Sequence, residues 1–547
     1  MSAGSEDRSG SPNGPGQLYF NGEIYTVDPG RPSAEAVAVC DGTVREVGSL
    51  DGCRSTLADD FEPVDLQGAA LLPGFVDTHL HPLPMIYYDM NVNLRRVRTL
   101  EEMQDLFRHA AAAALPGRWI VGLDFDEHTL LRPALPSRHD LDAACPDRPA
   151  LIVKHDGHMV IANTRALEAA GVSAATADPP GGIIDREPDG QPAGPFRETA
   201  SRIPVSAIPF PEPDDLVQGA KETFGRISAR GITSVGAVMQ TGEEGPLGTS
   251  GTLDTLAMSL LLEHARFNLY GLLVAGQLQE VEEARKTPLH GSIPGGHRIG
   301  GIKIYVDGTF GSLTSYMDEP FADRPDLRGM LTKSPEEIYR RMRFAHRAGL
   351  QIALHVIGDA AVRTCLDLYE RLLGEHPRGD HRHRLEHASI LDEAALSRMA
   401  RLGLVVSTQP LFIHSERAWL YKRLGPERAR RTYPFRSILE AGVKLAGASD
   451  APVESTDVLH AIQCCVTREG FEPQQAITAA QAVRMYTLDA AFAQFEERVK
   501  GSLAPGKRAD MVILSANPVS VPPERIRDIR VLRTIWAGRV AYDAERD

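Results

Sequence analysis

Three things are scarce in this chain, and each scarcity excludes something. Cysteine is the first: Cys40, Cys53, Cys145, Cys365, Cys464 and Cys465 are the only six among 547 residues. Their spacing matches neither a zinc finger nor a small disulfide scaffold, so they read as reduced thiols of a cytoplasmic protein. Long apolar runs are the second scarcity. No stretch reaches the roughly 20 residues that a bilayer demands, and a membrane is not an expected partner. Positive charge is the third. With 59 basic residues against 73 acidic ones the formal net charge is −14, and no long basic cluster stands out, which argues against nucleic acid. Residues 1–16 are rich in Ser, Gly and Pro without a hydrophobic segment, so a disordered tail is expected there rather than a signal peptide. What is left is the composition of a large soluble enzyme, 42% hydrophobic, long enough for more than one structural unit. The expected partners are a small-molecule substrate and, in the assembly, a second copy of the chain.

What the chain does have is most concentrated at Gly74-Phe75-Val76-Asp77-Thr78-His79-Leu80-His81-Pro82, which follows the apolar run Ala69-Ala70-Leu71-Leu72. On an extended strand, residues i and i+2 face the same way. His79 and His81 can therefore aim two imidazoles at one point, the first half of a metal site, since neutral imidazole suits zinc and related ions. Alone, the pair fits hydrogen-bonded or surface histidines equally well.

The chain around that motif divides into parts. Residues 17–72 alternate between apolar and polar, with Asn21-Gly22 and Asp41-Gly42 as expected hairpin turns. The C-terminal stretch 499–547 alternates in the same manner, so the two ends are expected to form one composite β-sandwich domain. Short apolar runs recur at 70–80, 232–235, 269–274, 302–306, 352–356, 385–387, 404–407 and 445–447, with helical stretches such as 335–348 and 392–402 between them. Eight such units predict an α/β fold, a (β/α)8 TIM-type barrel over 73–83 and 216–498, with its active site at the C-terminal ends of the strands. Residues 84–215 break the rhythm and are expected to form an inserted α+β subdomain over the active site.

The strand ends carry chemistry. Lys303 lies within the fourth run, His355 ends the fifth, His387 the sixth and Asp450 the eighth. Each has a bland reading as a hydrogen-bonded histidine or a helix-capping aspartate. Their convergence in one barrel is harder to explain that way.

In order along the chain, the motifs are Gly74 to Pro82; Asp156-Gly157-His158 with Asn163 and Ala166-Leu167; Gly181-Gly182-Ile183 with Gly190, Pro192, Gly194 and Glu198; Lys303 with Asp307-Gly308; His355 with Gly358-Asp359-Ala360; Glu386-His387; Ser449-Asp450; and Gly501 to Lys507 with Ala509-Asp510. This series resembles the amidohydrolase superfamily of metal-dependent hydrolases, and within it the amidohydrolase family 3 branch that contains N-substituted formamide deformylase. The resemblance covers nearly the whole chain.

It implies a divalent metal cofactor, zinc first among the candidates, with one or two ions per chain. His79, His81 and Asp450 would hold the more buried ion, and His355 and His387 the second. Lys303 stands where relatives carry a carboxylated lysine bridging both: a carbamate supplies two anionic oxygens where an ammonium would repel two dications. Two such ions share and activate a hydroxide and polarise a carbonyl. Asp450 would also shuttle the proton to the leaving nitrogen. His158 resembles a pocket position that binds substrate or polarises its carbonyl. Asp307 would shape the loop after strand four, and Asp359 and Glu386 would orient the ligands from behind. The implied reaction is hydrolysis of a C–N bond in an amide, with N-substituted formamides among the substrates. The alternatives are deamination of a cyclic amidine or heterocycle, and a catalytically silent scaffold. Two departures from the family pattern, Ala451 before Pro452 and the absence of tryptophan in 122–126, bear on pocket shape, so substrate identity does not carry over.

Overall fold

The computed structural model describes residues 16–57, 60–114, 117–132, 134–154, 159–179, 182–209, 211–241, 251–291 and 296–546. Most of the expected tail and His158 lie outside them; Gly16 already begins a strand. The chain separates into two compact units, 1–83 with 224–547, and 84–223. The second division falls inside the helix Pro213–Ala229.

The first unit contains a parallel sheet in strict sequence order: Phe75–Leu80, Ile232–Gln240, Asn268–Val274, Arg298–Tyr305, Gln351–Val356, Arg384–His387, Val405–Thr408 and Lys444–Gly447. These are the first to eighth barrel strands below. The Asp450 N–H donates to His79 O at 2.7 Å and the His81 N–H to Ala451 O at 2.8 Å, so the first and eighth strands meet at their C-terminal ends. This is the TIM-type barrel expected from eight apolar runs. The first, fifth and sixth strands are buried at every position, as strands covered on both faces must be. The helices between them start and stop on local signals. Ser334 caps Pro335–Arg347 by accepting from the Glu337 N–H. Asp392 caps Glu393–Leu402, which ends on Gly403 in the left-handed conformation.

A second sheet in the same unit interleaves both ends of the chain, in the order Arg539–Asp543, Val531–Trp536, Met511–Leu514, Ala70–Pro73, Gly16–Tyr25, Ser33–Cys40, Thr43–Gly48, with Phe61–Asp65 also on Gly16–Tyr25. Its apolar face gathers Val37, Val39, Val44, Leu71, Met511, Ile513 and Ile535. Asp41 and Gly42 both have positive φ, 51° and 71°, as a two-residue type I′ hairpin turn requires. The other expected turn, Asn21-Gly22, is not one. It lies within the strand Gly16–Tyr25, where the pairing register shifts between Phe20 and Ile24. The physical reason is a change of partner. The strand pairs with Phe61–Asp65 up to Phe20 and with Ala70–Pro73 from Glu23, and a bulge with Asn21 at φ 59° makes the switch.

The other unit holds a six-stranded sheet in the order Gly182–Arg186, Pro192–Glu198, Met159–Ala162, Ala150–Lys154, Ile120–Phe125, Val92–Asn93. Among the described residues, no helix is long and apolar enough to cross a membrane. All six cysteines are free.

Candidate metal centre

The first strand and the residue after it deliver three polar residues on one alternation, Asp77, His79 and His81. His79 is fully buried, and both of its ring nitrogens are engaged. Nδ1 lies 2.6 Å from Glu386 Oε2, which fixes the proton there and turns the Nε2 lone pair inward. That Nε2 is 3.0 Å from Lys303 Nζ and 3.3 Å from Asp450 Oδ1. His81 Nε2 lies 3.0 Å from the same Oδ1. The donor atoms of His79, His81 and Asp450 all fall within 4.8 Å of one another.

His387 is beside them, its ring centroid 5.3 Å from that of His79. Its Nδ1 lies 2.7 Å from Gln409 Oε1, so its proton too is held on the far side. His355 completes the row at 4.5 Å from the His387 ring, with Nε2 3.2 Å from the Gly308 carbonyl. The fourth strand brings Lys303 into the same space, Nζ 5.1 Å from the Tyr305 ring centre. The three-donor group thus comprises His79, His81 and Asp450, while His355 and His387 form a neighbouring pair. His387 (φ 70°) and Asp450 (φ 61°) have left-handed backbone, a conformation non-glycine residues keep only where the surroundings enforce it.

Charge is arranged to suit a cation. Burial pushes the imidazoles down, His79 to about 4 and His387 to about 3, and His355 well below its ordinary value. All three are neutral donors at pH 7. Burial would raise Asp450, but His79, the His81 hydrogen bond and His387 overcome it and hold the carboxylate ionised. Burial pushes the Lys303 amine down to about 8, against the pull of Glu386 and Asp450. Neutral imidazoles and an ionised carboxylate are the donor set that zinc-like ions take, so the residues fit a divalent metal.

Support for the ligands comes from a buried ion pair. Arg384 and Glu386 are both fully buried. They face the same way, two residues apart on the sixth strand. Arg384 donates Nε to Glu386 Oε1 at 2.6 Å and Nη2 to Oε2 at 2.8 Å, and Nη2 also reaches Thr78 O at 2.8 Å. Burial opposes the charge on Glu386, yet Arg384 and His79 hold its pKa well below the usual carboxylate value. Asp77 accepts from the His79 and Ser449 N–H groups at 3.1 Å, tying the first strand to the residue before Asp450; burial pushes its pKa up to about 6. Asp307 accepts from the N–H groups of Tyr316 at 3.0 Å, Ile357 at 3.0 Å and Gly358 at 2.8 Å, and burial pushes it up to about 7. It pins the loops after strands four and five. Gly358 is needed there, because a Cβ would fall 2.0 Å from the Tyr316 carbonyl oxygen.

Asp359 turns elsewhere. Its Oδ1 accepts from the Asp318 N–H at 2.9 Å and its Oδ2 lies 3.8 Å from Arg431, at the start of the helix Asp359–Glu375. Sequence reasoning had assigned no role to Arg384, Asp77 or Gln409. Arg384 carried a signal: a cation inside a buried apolar strand, two residues from a glutamate, calls for an ion pair. Asp77 carried the same alternation as the two histidines. Gln409 had none.

With this geometry in place, comparison with known proteins assigns the family. The model of the amidohydrolase family matches residues 62–542. The chain belongs to the amidohydrolase family. It is 28% identical to N-substituted formamide deformylase of Arthrobacter pascens, over 96% of this chain and 98% of that one. It is 30% identical to Protein LONG AFTER FAR-RED 3 of Arabidopsis thaliana, over 96% and 91%. Among solved structures it resembles an uncharacterized metal-dependent hydrolase from Pyrococcus horikoshii OT3, with TM-score 0.76, 25% identity, and coverage of 93% of this chain and 99% of that one. The chain is therefore a hydrolase, and the strand-end cluster is its candidate centre.

Proposed function

We propose that this protein hydrolyses a C–N bond of a small-molecule amide, N-substituted formamides being the first class to test. The observation that carries the reading is the convergence of His79, His81 and Asp450 within 4.8 Å at the C-terminal end of the barrel. His79, His81 and Asp450 would hold one divalent ion, zinc by the chemistry of the donors. Lys303, His355 and His387 would serve a second. When bound, such ions polarise a carbonyl and lower the pKa of a coordinated water to about 7.

The chain's own residues do the rest. The Glu386 carboxylate keeps the His79 proton on Nδ1, so Nε2 stays a donor. Gln409 does the same for His387. Asp450, ionised and held by His81 at 3.0 Å, takes the proton of the attacking water and returns it to the departing nitrogen, which leaves poorly as an anion. Lys303 is proposed to act as its carbamate: the buried amine sits 3.0 Å from a ligand nitrogen, a place where an ammonium would oppose a cation. His158 is the next candidate for contact with the substrate carbonyl.

The test is elemental analysis of protein purified without chelator, joined to a screen of N-substituted formamides, other amides and heterocyclic amines. The expected result is bound zinc and release of a free amine with the matching acid, abolished by chelation. Ammonia released from a cyclic amidine would replace this reading with deamination. An active, metal-free preparation would overturn the metal assignment.

A further inference from the structure

A second cluster of donors stands apart from the six barrel residues, on the helices that follow strands seven and eight. His414 lies on the helix Leu411–Glu416 and His460 on the helix Val458–Thr467. Glu469 lies on the tight turn Arg468–Gly470. Their donor atoms fall within 4.8 Å of one another. His414 Nδ1 is 2.9 Å from both oxygens of Glu469, and His460 Nε2 is 3.1 Å from Oε1. In a tetrahedral site with ligand bonds of about 2.0–2.1 Å, donors lie roughly 3.4 Å apart. The two imidazole–Oε1 distances, 2.9 and 3.1 Å, need to open by only a few tenths of an ångström to reach that spacing.

The two carboxylate oxygens are used differently. Oε2 lies 3.0 Å from Arg417 Nη2, while Oε1 faces both imidazoles. Cys464 Sγ is 3.7 Å from Oε1. His460 and Cys464 are four residues apart on one helix face, so a soft donor lies alongside the two nitrogens. The turn that presents Glu469 is preset. Arg468, Glu469 and Gly470 all have positive φ, 54°, 47° and 82°. Arg468 is fully buried, donating Nη1 to Tyr433 O at 2.8 Å and Nε to Phe471 O at 3.1 Å.

The geometry points to a peripheral transition-metal site formed by His414 Nδ1, His460 Nε2 and Glu469 Oε1, binding zinc or a similar borderline-soft ion. Two imidazoles, a carboxylate and a nearby thiol select that class over magnesium or calcium. The ion clamps the helix after strand seven to the helix after strand eight. The former begins two residues beyond Gln409. The competing explanation is a plain ion pair of histidines with a glutamate, which needs no metal.

The test compares full-length wild type with His414→Ala. The His414 side chain is 49% exposed, so its loss leaves the packing intact. Both proteins keep all six barrel residues, and metal at that centre cancels in the difference. Each is dialysed to equilibrium against buffered zinc at neutral pH, and zinc per chain is counted. The expected result is one more equivalent on the wild type, together with a larger zinc-induced rise in melting temperature. Equal counts with equal melting shifts overturn the proposal in favour of the ion pair. Should His414→Ala not fold, His414→Gln makes the same comparison, and Glu469→Gln must remove the same equivalent.

Discussion

Among the described residues the barrel has histidines at both of its ends, and the two sets are arranged differently. At the N-terminal side, His346, His381 and His383 are buried, with the His381 and His383 rings 4.6 Å apart. Their nitrogens are all spoken for. His383 Nδ1 accepts from the Ile352 N–H at 3.1 Å, which puts its proton on Nε2, 2.8 Å from His346 Nδ1. His346 then donates Nε2–H to His376 O at 2.8 Å. His381 accepts from the His383 N–H at 3.0 Å and donates to Leu402 O at 2.9 Å. At the C-terminal side, Glu386 and Gln409 occupy one nitrogen each of His79 and His387 and leave the other facing inward. His79 is set up as a ligand because a side-chain acceptor takes Nδ1 and the Asp450 carboxylate waits beyond Nε2. The N-terminal histidines are structure because backbone groups and a neighbouring imidazole use both nitrogens.

The largest expected effect tests the carboxylate that separates the two ends. Asp450→Asn keeps the shape and one oxygen donor but removes the base. Turnover is expected to fall by about 10²–10⁴-fold while zinc measured per chain stays near the wild-type value. Near-normal turnover would move the proton shuttle elsewhere, with His158 first in line.

The ion pair behind His79 comes next. Arg384→Met leaves Glu386 buried and uncompensated, which is expected to cost roughly 3–5 kcal/mol of unfolding free energy in urea. The double change Arg384→Met with Glu386→Gln removes the stranded charge and should recover much of that stability. If the single variant is as stable as wild type, the pair does not hold this end of the barrel together. Glu386→Gln alone keeps the packing but weakens the hold on the His79 tautomer. It is expected to loosen metal binding by about 10–100-fold, read by competition with a chromophoric chelator. A matched change at the other end, His346→Gln, should leave metal affinity unchanged.

Much of this is legible in the sequence. The eight apolar runs gave the barrel because strands covered on both faces must be apolar throughout. The polar residues ending those runs stand out against such a background, which is why His79, His81, Lys303, His355, His387 and Asp450 could be named together. What stayed hidden depends on contacts between residues far apart in sequence. His79 and Glu386 are 307 positions apart, and Gln409 looks like any strand-end amide until His387 is placed against it. The Asn21-Gly22 bulge looks like a turn in the sequence for the same reason: only the two partners of the strand reveal that it continues. The histidines at 346, 381 and 383 carry no local mark that distinguishes them from ligands.

The smallest effect sharpens the comparison through pH. Burial pushes the His383 pKa well below its ordinary value, with His381 and His346 adding to the push. In the unfolded chain the same ring titrates near 6.5. Below that pH the unfolded state therefore binds a proton that the folded state refuses, and stability falls as pH falls. Above it neither state is protonated and the contribution is flat. The slope is at most about 1.4 kcal/mol per pH unit for one such group. The neutral histidines of the metal end add slopes of the same sign, so the profile of the wild type alone cannot separate the two ends. The difference between wild type and His383→Gln does, because the metal end is common to both. Their unfolding free energies in urea, measured from pH 7.5 down to 5, are expected to converge as the pH drops, since only the wild type carries the His383 penalty. Parallel profiles would mean that His383 takes up its proton in the folded state, and the N-terminal network would then have to accommodate that charge.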